Sequence, residues 1–408
     1  MAIVRPFRAV RPPVDKVELV ASVPYDVVNT EEARALAAGN PYSLLHVSRP
    51  EIDLPEETDI HSDEVYAKGL ENLKQLEADL PLLTEETPHL YIYRQIMDGR
   101  AQTGVVGCCA VDQYDNDIIR KHERTRKDKE DDRTRHIITL RMQTGPVFLT
   151  YRKQDTINEL VTRYCAETPL YDFVAPDKVR HTVWSVPDSD ALADAFSQVP
   201  QLYIADGHHR AASASRTRAH FRAENQFHTG TEEYNFFLTV MFPDEQLKIL
   251  PYNRVVKDLA GRTPEQFLAA VKEVVEVSTS PFPAPTQKWT FSMYLQGRWY
   301  GLYLDTDTID KDDPIKSLDV SLLQDRILAP LLNIEDPRTD KRIDFVGGIR
   351  GTDELERLVN EGKAAVAFSM YPTSMDELMR VSDANEVMPP KSTWFEPKLR
   401  SGLLMHRI

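Results

Sequence analysis

Apolar and polar positions along the chain follow two periods, and together they predict strands mixed with amphipathic helices. Residues 62–80 set Val65, Leu70, Leu73 and Leu76 near one face of a helix. Asn29 caps a shorter helix through Ala38, and Gly39 stops it. Thr263-Pro264-Glu265-Gln266 is another helix start, with a threonine cap, a proline in the first turn and a glutamine reaching back. Ser374 to Glu377 opens a short helix, and residues 155–166 form a further one. Strand-like runs occupy residues 42–47, 89–97, 103–111, 146–151 and 364–370. Asp98-Gly99-Arg100 joins the second and third of these as a hairpin, and Gly297-Arg298 does the same for 289–296 and 299–304. Residues 234–242 and 247–250 read as an antiparallel pair.

Residues 181–204 read as strand, helix and strand, but regular βα alternation is absent elsewhere. The expected class is therefore α+β, with mixed and antiparallel sheets, rather than a doubly wound parallel sheet. A boundary near residue 260 separates a 1–260 core from a 261–408 α+β region. The closing loop, MPPKSTWFEPKLRSGLL, is free to return to the main site.

The 408 residues are 41% hydrophobic and 28% charged, which suits a soluble enzyme with a sizeable core. No apolar run reaches the length of a membrane span, and the N-terminus lacks a signal-peptide stretch. Cys108, Cys109 and Cys165 have no paired-metal spacing, and the first two sit in the apolar run VVGCCAV as buried thiols. The expected location is the cytoplasm. The net charge of −15 disfavours a nucleic-acid partner. A small-molecule substrate and a nucleotide are the expected partners, no membrane is expected, and a homo-oligomer is left open.

The most informative stretch is LYIADGHHRAA, residues 202–212. An apolar strand ends at Asp206, Gly207 turns the chain, and a helix begins with His208, His209 and Arg210. Helix starts present unpaired N–H groups and a positive dipole end, so they attract anions. Arg210 adds a fork matched to phosphate or carboxylate. Asp206 is placed to bind a metal or an amine. The plainer alternative is a satisfied structural network, in which adjacent histidines point apart and at most one meets a ligand. Zinc on His122, His208 or His209 with Asp206 is a poor fit, because neighbouring histidines are poor co-ligands. Mg²⁺ on Asp206 and phosphate oxygens suits the residues better.

Two further clusters carry candidate chemistry. RKHERTRKDKEDDR, residues 120–133, places His122 and Glu123 at a strand end before a dense run of both signs. Its bland reading is a solvated helix with pairs such as Lys127–Asp131. Lys391, Ser392 and Thr393, with Lys398, offer point charges and hydroxyl donors for a phosphate on a proline-stiffened loop. The alternative there is an ordinary surface loop. The chain has no P-loop glycines, no GxGxxG, no GxSxG and no HExxH.

Five ordered blocks, RPFRAVRP, VPYDVV, KHERTRKDKEDDR, YIADGHHRAASA and MPPKSTWFEPKLRSGLL, resemble the bacterial domain-of-unknown-function family numbered one thousand and fifteen. The DGHHR turn alone is similar to the nucleotide-binding turn of the ParB–sulfiredoxin superfamily, which includes free L-serine kinases. The second resemblance implies a ParB/sulfiredoxin-like nucleotide-binding core and phosphoryl transfer from ATP or ADP, with Mg²⁺, to a small alcohol such as L-serine. Gly207, His208, His209 and Arg210 would then hold the nucleotide phosphates, with Lys391, Ser392, Thr393 and Lys398 closing over one of them. Asp206 would bind Mg²⁺ or the substrate amine, Glu123 would act as general base and His122 as its helper. The rival expectations are a nucleotide-binding regulator without a second substrate, and a metal-dependent small-molecule phosphatase.

Overall fold

The computed structural model describes residues 1–279 and 282–408. It divides into two units, Met1–Leu247 with Pro397–Ile408, and Lys248–Glu396. The change of unit thus falls just before the sequence-drawn boundary at 260, and the last twelve residues belong to the first unit rather than to the C-terminal region. The reason for their return is a strand, Met405–Arg407, that inserts between Ala9–Arg11 and Met142–Gln143.

The first unit is built on a nine-stranded mixed sheet. Its centre is the hairpin of Leu90–Met97 and Arg100–Ala110. Asp98 and Gly99 both take positive φ at its turn, the conformation that matches the twist of the two strands. Phe236–Pro243 pairs antiparallel with the second hairpin strand and parallel with Val147–Tyr151. Leu202–Asp206 lies on the far side of Val147–Tyr151, antiparallel to it, and runs parallel to the short strand Ile119–Arg120. Ile92, Val105, Leu149, Ile204, Phe237 and Met241 are buried in one cluster on this sheet. Each such side chain contributes about 1.5–3 kcal/mol on leaving water.

Two helices matter for the site. Lys127–Leu140 and His208–Glu224 pack against each other, and the long helix Asp63–Asp79 covers the first of them. Val65, Gly69, Leu73 and Leu76 form the buried face of that covering helix, as their spacing requires.

Two strand expectations are corrected. Residues 42–47 form a turn and the helix Leu45–Ser48 instead of a strand. Ser43 Oγ accepts from the Leu45 N–H and starts the helical turn, and Leu44, Leu45 and Val47 are all buried, so the short apolar run carried no usable period. Residues 247–250 do not pair with 234–242: Ile249–Leu250 pairs with Trp394–Phe395. Both edges of Phe236–Pro243 are already taken by other strands, which leaves no vacancy for a third.

The second unit holds a six-stranded sheet and a two-stranded one. The hairpin of Thr290–Leu295 and Arg298–Tyr303 turns at Gln296 and Gly297, both at positive φ, one residue earlier than expected. The helices Pro264–Lys272 and Met375–Asp383 begin with the reciprocal caps their sequences predicted. The molecule is thus α+β, with mixed and antiparallel sheets.

Candidate functional site

Asp206 ends its strand beside an irregularity: Ile204 pairs with Leu149, but the next paired residue is Asp206 with Phe148. The extra residue, Ala205, is a β-bulge that re-aims the strand end. Gly207 follows at φ 94°, a conformation open to glycine at little cost. The 17-residue helix His208–Glu224 starts there, and no side chain caps its N-terminus. Its first N–H groups and its dipole therefore face the same region as Asp206.

Oδ2 of Asp206 accepts from the Lys398 ammonium at 3.0 Å. Burial alone would raise the Asp206 pKa, but Lys398 and Arg210 outweigh it and hold the carboxylate well below its ordinary range. About 30% of the Asp206 side chain meets solvent, so the pair lines an accessible surface. Lys398 is held in turn by its own carbonyl, which accepts from Gln95 Nε2 at 2.9 Å, and Gln95 is fully buried. Nearby, Arg400 reaches the imidazole of His181 at 3.3 Å and pairs with Asp177. These contacts fix the terminal segment over the site.

The two histidines do point apart, and both are engaged. His208 Nε2 accepts a long hydrogen bond, 3.5 Å, from the His122 backbone N–H, and its Nδ1 lies 3.8 Å from Oε2 of Glu123. Desolvation, and then His122, hold His208 well below the usual imidazole pKa, so it is neutral. A neutral ring that accepts at Nε2 carries its proton on Nδ1, facing Glu123. His209 Nε2 accepts from the Arg126 N–H at 3.0 Å. The helix start thereby pins the 121–126 loop, and the loop presents Glu123, 48% exposed, at the rim.

His122 lies beneath, 2% exposed, and packs edge-on against His208 with ring centroids 4.5 Å apart. Burial pushes its pKa down to about 4, although Asp206 and the Ile204 backbone act the other way. Neither ring nitrogen makes a hydrogen bond of good geometry.

Arg210 acts on the Asp206 carboxylate electrostatically and takes its hydrogen-bond partners elsewhere. Its guanidinium folds under the turn, donates to the Pro146 carbonyl and pairs with Asp26 at 3.5 Å. A Cβ added to Gly207 would stand 3.1 Å from Arg210 Cζ. The carboxylates of Asp26 and Asp206 raise the Arg210 pKa against the desolvation that lowers it. Sequence reasoning gave Asp26 and Tyr25 no role, although both lie in the VPYDVV block that it quoted.

The charged run splits into two parts. Residues 121–126 form the loop at the site, whereas Lys127 onward is helix with ordinary ion pairs: Lys127–Asp131 at 3.0 Å, Arg133–Asp132 at 2.7 Å, and Arg216 with Glu130 and Asp131. Lys391, Ser392 and Thr393 belong to the second unit. There Lys391 sits at φ 56° with its ammonium 5.4 Å from the Tyr252 ring, and Ser392 donates to the Pro389 carbonyl at 2.6 Å.

No three His, Cys, Asp or Glu side chains among the described residues converge as metal ligands, and the cation beside Asp206 is Lys398. No helix of the described residues is long and apolar enough to cross a membrane.

Fold and site together define an α+β protein with an uncapped helix N-terminus flanked by a lysine–aspartate pair and a glutamate–histidine pair. The chain belongs to the family described as "Protein of unknown function (DUF1015)", whose model matches residues 4–321. No curated protein matches it. Solved structures with some similarity include a free serine kinase in complex with AMP, at 12% identity and a TM-score of 0.36, covering 74% of this chain and 91% of that one. SbnI with a C-terminal truncation, from Staphylococcus aureus, matches at 12% identity and a TM-score of 0.39, covering 74% and 87%. A conserved hypothetical protein from Pyrococcus furiosus matches at 13% identity and a TM-score of 0.35, covering 74% and 94%.

Proposed function

We propose that the protein transfers a phosphoryl group between a nucleotide, ATP or ADP, and a small hydroxyl compound, with free L-serine the leading candidate. The observation that carries this reading is the convergence on one uncapped helix start of Asp206, Lys398, neutral His208 and the exposed carboxylate of Glu123. Phosphoryl transfer consists mostly of positioning and charge neutralisation, and these parts supply both. The N–H groups behind Gly207 receive phosphate oxygens. Lys398 cancels the charge of Asp206, so the carboxylate does not repel a phosphate there. Glu123 accepts the hydroxyl proton of the acceptor as general base. The His208 Nδ1 proton, facing Glu123, orients that carboxylate, and His122 acts as a positioning residue packed behind it. Arg210 supports the turn from below. No step is assigned to a metal ion.

The test is a transfer assay on the full chain with ATP or ADP, Mg²⁺ and a panel of amino acids and small alcohols, with products read by mass spectrometry. Phosphoserine, or another phosphorylated acceptor, supports the reading. Nucleotide bound tightly with no product across the panel favours the regulator instead.

A further inference from the structure

Behind the Gly207 turn, inside the first unit, lies a cavity of about 40 Å³. Arg210 lines it, together with Tyr25, Ser48, Arg133 and His136. Ile137, Met142, Val147, Ala214, Phe237 and Leu238 add apolar lining, and Gln143, Thr144 and Ser401 further polar lining. The polar side is not self-sufficient. Nε of Arg210 and the hydroxyl of Ser48 are buried without a hydrogen-bond partner. Buried donors without partners are rare in folded proteins, and two on residues that line one cavity mark a place for an acceptor.

The chemistry of the walls narrows that acceptor. The Arg133 guanidinium stacks 3.9 Å above the Tyr25 ring, and its Nε is held at 2.7 Å by Asp132, so its position is fixed. Burial keeps the Tyr25 phenol protonated, with both Arg133 and Arg210 close enough to act on it. His136 donates to the Val47 carbonyl at 2.9 Å, and burial pushes its pKa down to about 4, so it adds no charge. The lining thus offers two guanidinium groups, hydroxyls and a phenol together with hydrocarbon side chains. A water-sized position needs roughly 10–15 Å³ of such space, so the cavity takes about three or four of them.

We infer that this cavity binds a small organic carboxylate of about two to four carbons, its carboxylate on Arg210 Nε and Ser48 Oγ and its carbon chain against the apolar lining side chains. Arg210 Nε and Ser48 Oγ are not among the groups that receive the nucleotide in the proposed function.

Titration calorimetry on the full chain tests it, with propionate and lactate as probes, inorganic phosphate as the competing anion, and AMP titrated separately into the same samples. The expected result is one-to-one binding of propionate or lactate and none of phosphate. Ser48→Ala should weaken that binding about tenfold, and Ala214→Leu, which adds bulk to the lining, should abolish it. Arg210→Gln should weaken it further than Ser48→Ala. Circular dichroism confirms that each variant is folded, and Ser48→Ala keeps the test open if the larger changes unfold the chain. Phosphate binding in place of the carboxylates, no carboxylate binding at all, or equal carboxylate affinity in folded Ser48→Ala and Ala214→Leu would overturn the inference. The AMP titration into the wild type and Ser48→Ala reports on the nucleotide reading alone.

Discussion

The Lys398 ammonium lies 3.0 Å from Oδ2 of Asp206, across 192 positions of sequence. This pair joins the terminal segment to the turn before the His208–Glu224 helix. It sits between the surface limit, where a pair is worth about 0–1 kcal/mol, and the buried limit, where loss of one partner costs about 3–5 kcal/mol. Lys398→Met should therefore destabilise the first unit by about 1–3 kcal/mol at pH 7. The folded Asp206 pKa is depressed, so its stabilisation is fully present above the unfolded carboxylate value and is lost as pH falls through the folded value. Urea unfolding at pH 7 and pH 3 should show the wild-type advantage shrinking in acid. An advantage of equal size at both pH values would contradict the assignment.

The buried imidazole of His122 makes a second pH statement. Its folded pKa, about 4, lies below the ordinary 6.5. Between those values the unfolded chain binds the proton and the folded chain does not, so stability rises with pH across that window. The slope from this one group is about 1.4 kcal/mol per pH unit. His122→Asn should flatten the dependence of unfolding free energy on pH between 6 and 4.5 by about that slope. NMR titration of His122 with a pKa near 6.5 would show that its ring is not desolvated.

Gly207 combines a positive φ with a close neighbour. Alanine there takes on a left-handed backbone cost of about 1–2 kcal/mol, and its Cβ would press on the Arg210 guanidinium at 3.1 Å. Gly207→Ala should lower the unfolding free energy by at least that amount and weaken nucleotide binding, because the helix N-terminus shifts. Unchanged stability and affinity would place the turn outside the site.

Glu123 is the proposed base, and its loss separates chemistry from binding. Glu123→Gln keeps the shape and the contact with His208 but removes the proton acceptor. Turnover in the transfer assay should fall by about 10²–10⁴-fold, while nucleotide affinity changes little. Equal turnover in the variant and the wild type would remove Glu123 from the mechanism.

Much of this was legible in the chain itself. The Asn29, Thr263 and Ser374 caps appeared where their residue types required, because capping is decided within four residues. The Asp98-Gly99 hairpin and the strand–Gly207–helix order followed from the same local rules. Residues 42–47 misled because a short apolar run has no period of its own, and burial on all sides decided it.

What the sequence by itself determined is most of the longer elements and the polar blocks, including Asp206, Gly207, His208, Glu123 and Lys398. Only the tertiary structure decided which of these meet. It set Arg210 against Asp26 and the Pro146 carbonyl, and it brought Lys398 back to Asp206 through a strand that completes a sheet begun at Ala9–Arg11. Local composition fixes a helix start or a turn at short range. Pairings across 180 or more residues depend on the sheet edges and buried surfaces left open once those elements pack, and no stretch of sequence encodes that on its own.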